Sequence, residues 1–237
     1  MHKKKRHILG ILGGMGPEAT SVLYARIIRH TVARKDQDHL DIWIDSHAGL
    51  PDRTASILAG EEEKMKSLLR EDAKKLAGLG CDYLAVPCNT SHFFREVFRE
   101  IPGITFIDMI VETAGYVAGR GWKKVGILAT DGTVKGGLYE KALNEKGVTA
   151  LYPDEADQKA VMKLIYEEIK RGEMGTLSHF APVIQHMKQM GCEAVVLACT
   201  ELSVFAENYR LTDSFYVDAM GVLAERCITL CGGSYRD

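Results

Sequence analysis

Two cysteines occupy matching positions in the two halves of the chain. The segment from Gly80 to Thr90 reads GCDYLAVPCNT, and the segment from Gly191 to Glu201, 111 positions later, reads GCEAVVLACTE. Each segment has a glycine, a cysteine, an acidic residue, a short apolar run and then a second cysteine, which is Cys88 or Cys199. Two thiols on opposite sides of one carbon could remove a proton from one face and return a proton to the other. The pattern therefore predicts acid–base chemistry on a small molecule.

Strand-like and helix-like segments alternate along the chain. The predicted strands are 7–13, 41–46, 83–87, 104–108, 124–129, 194–198 and 215–218, and the predicted helices are 17–32, 61–79, 138–145, 161–171, 180–190 and 219–231. The strands are almost continuously apolar, which is typical of strands buried on both faces. The alternation predicts an α/β fold with mainly parallel sheets flanked by helices.

Three landmarks recur in the same order in the two halves. Besides the cysteine segments, Gly10 to Leu12 repeats as Gly126 to Leu128, and Phe106 to Asp108 is similar to Tyr216 to Asp218. We therefore predict two similar domains from an internal duplication. The first covers residues 1–108, completed by 219–237, and the second covers 109–218. Because ligands gather at the carboxyl ends of parallel strands, we expect the active site in the cleft between the domains.

Composition and charge exclude several classes of function. The 237 residues carry a formal net charge of −2, so no strong field attracts nucleic acid or an anionic membrane. No apolar run reaches the length of a membrane span, and the N-terminus has no signal-peptide pattern, so we expect a cytoplasmic protein. Its six cysteines are then expected to be thiols rather than disulfides. The basic run from Lys3 to Arg6 is interpreted as a solvated tail.

Other chemistries fit the sequence less well. The loop from Gly13 to Gly16 is neither a dinucleotide fingerprint nor a phosphate loop, and its glycines favour a tight strand-to-helix turn. The cysteines and histidines lack the spacing of a zinc site. His92 could serve Cys88 as the base of a nucleophilic cysteine, but Cys199 would then have no function. Both cysteines could also be inert buried side chains, as we expect for Cys81, Cys192, Cys227 and Cys231.

The motifs resemble those of the aspartate/glutamate racemase superfamily. The resemblance covers the segment from Ile11 to Thr20 (ILGGMGPEAT) and both cysteine boxes, and it extends from Ile8 to about Glu225. Glutamate racemases usually begin with an Asp-Ser-Gly strand end and have Thr-His after the second cysteine. This chain has Gly-Gly-Met and Thr-Glu there, so it most resembles the cofactor-independent aspartate racemases.

The resemblance also implies which residues bind the substrate. Leu50 to Thr54 is similar to the family loop whose arginine, here Arg53, holds a substrate carboxylate. Ile165 to Gly172 is similar to the segment whose lysine, here Lys170, contacts an acidic substrate, and relatives with neutral substrates tend to lack that lysine. The implied substrate-binding residues are Met15, Asp52, Arg53, Thr54, Asn89, Thr90, Ser91, Lys170 and Thr200.

The implied reaction is the interconversion of L- and D-aspartate without pyridoxal phosphate, metal or any other cofactor. Cys88 and Cys199 would be the catalytic thiolate and thiol, and we expect helix N-termini at Asn89 and Thr200 to lower the pKa of the thiolate. His92 and Glu201 would orient neighbouring groups. The family resemblance leaves a homodimer open. Glutamate or broader specificity, a related isomerase or decarboxylase such as maleate isomerase, and a non-catalytic amino-acid-binding protein are the alternatives.

Overall fold

The computed structural model describes residues 6–236, so Lys3 to Lys5 of the predicted basic tail lie outside the described residues. The described chain divides into two compact units. One contains residues 6–109 and 220–236, and the other contains residues 110–219. No helix in the described part of the chain is long and apolar enough to cross a membrane.

The first unit is built on a sheet of four parallel strands. They are β1 (Leu9–Gly13), β2 (Ile42–Ser46), β3 (Tyr83–Ala85) and β4 (Thr105–Ile107), in the spatial order β2-β1-β3-β4. Its helices are α1 (Pro17–His30), α2 (Arg53–Ala59), α3 (Glu62–Gly78) and α4 (Arg95–Arg99), and a 3₁₀ turn, Thr90–Phe94, precedes α4. Every residue of β1 is buried, as expected for a parallel strand covered on both faces.

The second unit repeats this sheet. Its strands are β5 (Lys124–Leu128), β6 (Thr149–Leu151), β7 (Ala194–Leu197) and β8 (Tyr216–Asp218), in the order β6-β5-β7-β8. Its helices are α5 (Met109–Gly119), whose first residue belongs to the first unit, α6 (Asp131–Lys135), α7 (Leu138–Asn144), α8 (Glu155–Lys163), α9 (Leu177–Gln189) and α10 (Thr200–Asn208). The last helix, α11 (Ala219–Leu230), belongs to the first unit apart from its first residue. The predicted α/β architecture with two similar parallel sheets is confirmed.

The structure differs from the predicted elements in several places, and the helices α2, α4, α5 and α6 were not predicted. The expected helix over 161–171 ends at Lys163 and continues as a π turn, Leu164–Glu168, and a 3₁₀ turn, Ile169–Arg171. The short strand β6 was not predicted, because its three residues are half-buried or exposed and show no clear period.

Candidate active site

Cys88 lies at the carboxyl end of the cysteine-bearing strand of the first sheet. It follows the last residue of β3 by three positions, and its side chain is buried in the apolar core of the unit. A tight turn fixes its backbone, because its N–H donates to the carbonyl of Val86 at 2.8 Å. Asn89, Thr90 and Ser91 follow it directly and are buried as well. Three of the predicted substrate-binding residues are therefore buried directly after Cys88 in the chain.

His92 holds the backbone of Cys88 and has no nitrogen left to act on its thiol. Nδ1 lies 2.9 Å from the carbonyl oxygen of Cys88, and the backbone N–H of Met109 donates to Nε2 at 3.1 Å. These partners assign the proton to Nδ1, which donates to the carbonyl. Burial lowers the pKa of His92, so its ring is neutral. The alternative in which His92 is the base of a nucleophilic Cys88 is therefore wrong.

The buried His92 makes folding stability depend on pH. Its pKa in the folded protein lies below the ordinary 6.5, so the unfolded chain binds the proton first as pH falls. The folded state therefore loses stability relative to the unfolded chain as pH falls below about 6.5. We expect the free energy of unfolding of the parent to fall more between pH 6.5 and pH 5.5 than that of His92→Asn. Urea unfolding at both pH values measures the difference, and equal slopes would contradict the prediction.

The glycine loop after β1 is a tight turn held by a threonine. The Thr20 hydroxyl accepts a hydrogen bond from the N–H of Gly14 at 2.9 Å and donates to the carbonyl of Gly16 at 3.1 Å. Gly14 has a φ of 85°, and a Cβ there would lie 2.4 Å from the backbone of His47, so only glycine fits. The loop presents Met15 to the core, where its sulfur accepts a hydrogen bond from the Ser91 hydroxyl at 3.2 Å.

The predicted arginine loop is the beginning of a helix. Asp52 is the N-cap of α2, and its carboxylate accepts a hydrogen bond from the N–H of Ala55 at 2.9 Å. Arg53 is the first helical residue and is buried, and its Nη1 donates to the carbonyl of Pro51 at 2.9 Å. Thr54 is buried beside it. The cap gives Asp52 a structural function, and it fixes the backbone that carries Arg53.

Cys199 occupies the matching position in the second unit. It follows the last residue of β7 by two positions and directly precedes α10. Its thiol donates a hydrogen bond to Oε2 of Glu201 at 2.9 Å, and the hydroxyl of Thr200 donates to the same oxygen at 3.2 Å. All three side chains are buried. The second unit therefore holds its cysteine against a carboxylate.

The pKa of Cys199 is raised, not lowered. Burial has the largest effect, the charge and hydrogen bond of Glu201 add to it, and the charge of Lys170 opposes it. The prediction that the helix N-terminus at Thr200 would lower the pKa of this thiol is wrong, because burial and the carboxylate outweigh the helix dipole. The raised pKa keeps Cys199 a thiol at neutral pH.

Lys170 lies on the irregular segment after α8. Its ammonium is exposed and sits 3.7 Å from the centre of the Tyr166 ring, a cation–π contact. The segment is anchored by buried Glu168, whose carboxylate contacts Nδ1 of His179 at 2.6 Å. Burial acts to raise the pKa of Glu168, but hydrogen bonds from Thr176 and His179 outweigh it, so the pKa is lowered. Sequence reasoning missed Tyr166, although its spacing of four residues from Lys170 was a signal.

A cavity of about 610 Å³ lies beside this segment in the second unit. Tyr166 contributes to its wall, together with Asp131, the first residue of α6, and Lys163 at the end of α8. Gln158 bridges the wall, because its amide donates to the carbonyl of Ala129 at 3.0 Å and to the carboxylate of Asp131 at 2.8 Å. The loop after β5 therefore lies beside the polar side chain of Gln158, at the end of the sheet where ligands of parallel sheets bind.

The other cysteines have the properties of structural thiols. All six cysteines are free and buried. Burial raises the pKa of Cys81 to about 11 and that of Cys231 to about 12, and it also raises the pKa of Cys192. Cys81 and Cys192 precede β3 and β7, so they lie at the ends of the strands opposite to Cys88 and Cys199.

One side-chain group in the described chain has the spacing of metal ligands. Ligand atoms of Asp154, Asp157 and His186 lie within 4.8 Å of one another. Helix capping and an ion pair account for the group. Asp154 accepts a hydrogen bond from the N–H of Asp157 at the start of α8, and Asp157 contacts Nδ1 of His186 at 2.8 Å. The cysteine sites have no such set of ligands among the described residues.

Two parallel sheets of the same order, each with a buried cysteine at the carboxyl end of an equivalent strand, define a duplicated α/β protein. Residues 12–227 match the Asp/Glu/Hydantoin racemase family, and the chain belongs to that family. The predicted membership and fold are thereby confirmed, and the chain is a racemase by family.

Individual relatives cover almost the whole chain. The broad specificity amino-acid racemase RacX of Bacillus subtilis is 25% identical over 228 residues, which are 94% of this chain and 97% of RacX. The structure of the Picrophilus torridus aspartate racemase has a TM-score of 0.84 at 29% identity and covers 97% of this chain and 96% of its own. An aspartate racemase homologue from Pyrococcus horikoshii OT3 has a TM-score of 0.75 at 25% identity, covering 95% and 99%.

Proposed function

We propose that this chain is a cofactor-independent racemase that interconverts L- and D-aspartate, with Cys88 and Cys199 as its two acid–base groups. The observation that carries the proposal is the equivalent position of the two buried cysteines. Each follows the strand that pairs with the first strand of its sheet, β3 beside β1 and β7 beside β5. Cys81 and Cys192 repeat equally well in sequence, but their position before the strands supports a structural function.

The reaction balances with two thiols and no other reagent. A thiolate removes the proton from the α-carbon and becomes a thiol, leaving a carbanion. The second thiol donates its proton to the opposite face of that carbon and becomes a thiolate. The α-proton is only weakly acidic, so the carbanion needs electrostatic stabilisation. We propose that the buried guanidinium of Arg53 binds the α-carboxylate, where it balances the developing charge. Backbone amides and side chains of Asn89, Thr90 and Ser91, and the backbone amide of Thr200, would add hydrogen bonds.

The acidic side chain of the substrate is assigned to Lys170. Its ammonium is exposed, it is positioned over Tyr166, and its charge acts on Cys199, so it lies close to the proposed proton donor. The positive charge of Lys170 would attract the side-chain carboxylate of the substrate, whereas a neutral side chain would gain no such attraction. The proposed contact between Lys170 and the side-chain carboxylate favours aspartate as the substrate. The similarity to RacX supports the alternative, a broad specificity.

A chiral assay of the purified protein tests the function directly. L-aspartate, L-glutamate, L-alanine and maleate are incubated separately without added cofactor, and products are resolved by chiral chromatography. We expect D-aspartate to form until the two enantiomers are equal, with hydroxylamine, which traps pyridoxal phosphate, having no effect. Conversion of maleate or release of carbon dioxide would instead support a related isomerase or decarboxylase. Calorimetric binding of aspartate without turnover would support a binding protein.

The proposal includes a reducing compartment. The chemistry requires Cys88 and Cys199 as thiols, and all six cysteines are free in the structure. This supports a cytoplasmic location, where thiols stay reduced.

We also propose a homodimer formed through the edge of the first sheet. Strand β2 is an edge strand, and Trp43 and Ile44 on its two faces are 49% and 40% exposed. Exposed apolar edge strands are sites of association between chains. We expect sedimentation velocity to give a dimer for the parent and a monomer for Trp43→Lys. A monomeric parent at micromolar concentration would contradict this.

A further inference from the structure

The two cysteine boxes differ at one chemically decisive position. The second residue after the cysteine is Thr90 in the first unit and Glu201 in the second. The Cys199 thiol donates to the Glu201 carboxylate at 2.9 Å. Within residues 6–109 and 220–236, no carboxylate accepts a hydrogen bond from the Cys88 thiol. The duplication therefore produced two thiols in equivalent places with different electrostatic surroundings.

The contact between Cys199 and Glu201 is buried, so the negative charge of Glu201 acts strongly on the thiol. The two side chains are only 5% and 7% exposed. A carboxylate attracts the thiol proton, and it repels a thiolate more strongly at a buried site than in water. The hydroxyl of Thr200 donates to the same carboxylate oxygen and orients it toward the sulfur. The geometry thus favours a proton on Cys199.

Lys170 is the charge that acts in the opposite direction. It belongs to the 3₁₀ turn, Ile169–Arg171, which packs against α10, and its charge favours the thiolate form of Cys199. The ammonium lies at the surface over the Tyr166 ring, whereas the carboxylate of Glu201 is buried and accepts a hydrogen bond from the thiol. The nearer, less screened group has the larger effect.

We propose that Glu201 is a positioning residue that keeps the proton on Cys199 in the resting enzyme, so that Cys199 begins the turnover as the proton donor. This rests on the two-thiol racemase function proposed above. Cys88 then accepts the α-proton, and Cys199 donates its proton to the opposite face of the carbanion. The turnover leaves a thiolate at Cys199 beside the carboxylate of Glu201. Proton exchange from Cys88 to Cys199 through solvent restores the resting state, and no proton is gained or lost.

The test is a thiolate titration that does not depend on turnover. The ultraviolet thiolate absorbance of the full-length protein is recorded against pH, and the same curve for Cys199→Ser is subtracted, which isolates Cys199. The measurement is repeated in Glu201→Gln with and without Cys199→Ser. We expect the Cys199 transition to move to lower pH by at least about one unit in Glu201→Gln. This corresponds to about a tenfold larger thiolate fraction well below the transition.

Two variants separate an electrostatic function from a structural one. Glu201→Asp keeps the charge, so its transition should stay near that of the parent. Glu207→Gln removes a carboxylate from the same helix, six positions away, and should leave the transition unchanged. Alkylation of each cysteine by iodoacetamide, resolved by peptide mass spectrometry, gives the second readout. In Glu201→Gln the alkylation of Cys199 should accelerate while that of Cys192, buried in the same unit, should not.

An unchanged Cys199 transition in Glu201→Gln would overturn the inference, and so would an equal shift in Glu207→Gln or an equal acceleration at Cys192. The racemase proposal is judged separately by the chiral assay. A protein that racemises aspartate but shows no shift refutes only the function of Glu201. A protein that shows the shift but racemises nothing refutes only the reaction.

Discussion

Serine in place of either Cys88 or Cys199 is expected to reduce aspartate racemisation by roughly 10²- to 10⁴-fold, the range that a positioned general acid or base contributes. Both replacements are nearly isosteric and keep a polar group at the end of β3 or β7. A serine hydroxyl, however, does not ionise near neutral pH, so it is a poor base and a poor acid for a carbanion. Chiral chromatography of L- and D-aspartate measures the loss.

Exchange in deuterated water shows whether the two thiols act on opposite faces. A variant with one thiol still has a group that can remove and return a proton on its own side. We expect Cys199→Ser to retain exchange of the α-hydrogen in one enantiomer, and Cys88→Ser to retain slower exchange in the other because Glu201 keeps the proton on Cys199, while both lose interconversion. Mass spectrometry of each recovered enantiomer measures the exchange. Exchange of both enantiomers by either variant would contradict the assignment of one thiol to each face.

The chain contains a matched control for these replacements. Cys81 and Cys192 repeat with the same spacing, are buried in the same units and precede the same strands. Burial raises the pKa of both thiols, so neither is a ready base. Serine at either position should therefore affect folding stability rather than the reaction. We expect Cys81→Ser and Cys192→Ser to racemise at near the parent rate. A loss equal to that of Cys88→Ser would show that the effect is structural.

The sequence predicts the sheets well because parallel strands leave a strong signal. Buried runs such as Leu9–Gly13 and Ala194–Leu197 are apolar throughout, and each ends near a glycine or polar residue that begins a loop. The repeat of the cysteine segments then predicts two similar domains. The strand β6 has only three residues that are not fully buried, and so it gives no comparable pattern.

The site is less predictable because its side chains are defined by three-dimensional partners. Sequence places His92 four residues after Cys88, and this spacing fits a catalytic base as well as a structural contact. Only the second partner, the N–H of Met109, shows that both ring nitrogens are used. The pKa of Cys199 likewise depends on groups that the sequence alone does not identify. A helix N-terminus follows it in the sequence, but burial and the carboxylate of Glu201 decide the sign of the shift.

Replacing Lys170 with methionine is expected to raise KM for aspartate by roughly 10- to 150-fold, because a hydrogen bond to a charged group contributes about 1.5–3 kcal/mol. Methionine keeps an unbranched apolar side chain at this position of the 3₁₀ turn and removes the charge. Inhibition by succinate, which has two carboxylates but no amino group, should weaken by a similar factor. Steady-state kinetics with aspartate, and succinate inhibition, measure both effects.

Lys170 also acts on Cys199, so the loss of binding must be separated from a change in the acid. Removing the ammonium raises the pKa of Cys199 further, which would alter the pH dependence of kcat rather than KM. Tyr166→Leu leaves Lys170 in place but removes the ring 3.7 Å from its ammonium, so it should raise KM in the same direction by less. Lys163→Met removes a charge from the cavity wall and should leave KM for aspartate unchanged. A rise in KM for Lys163→Met equal to that for Lys170→Met would mean that general positive charge, and not this lysine, attracts the substrate.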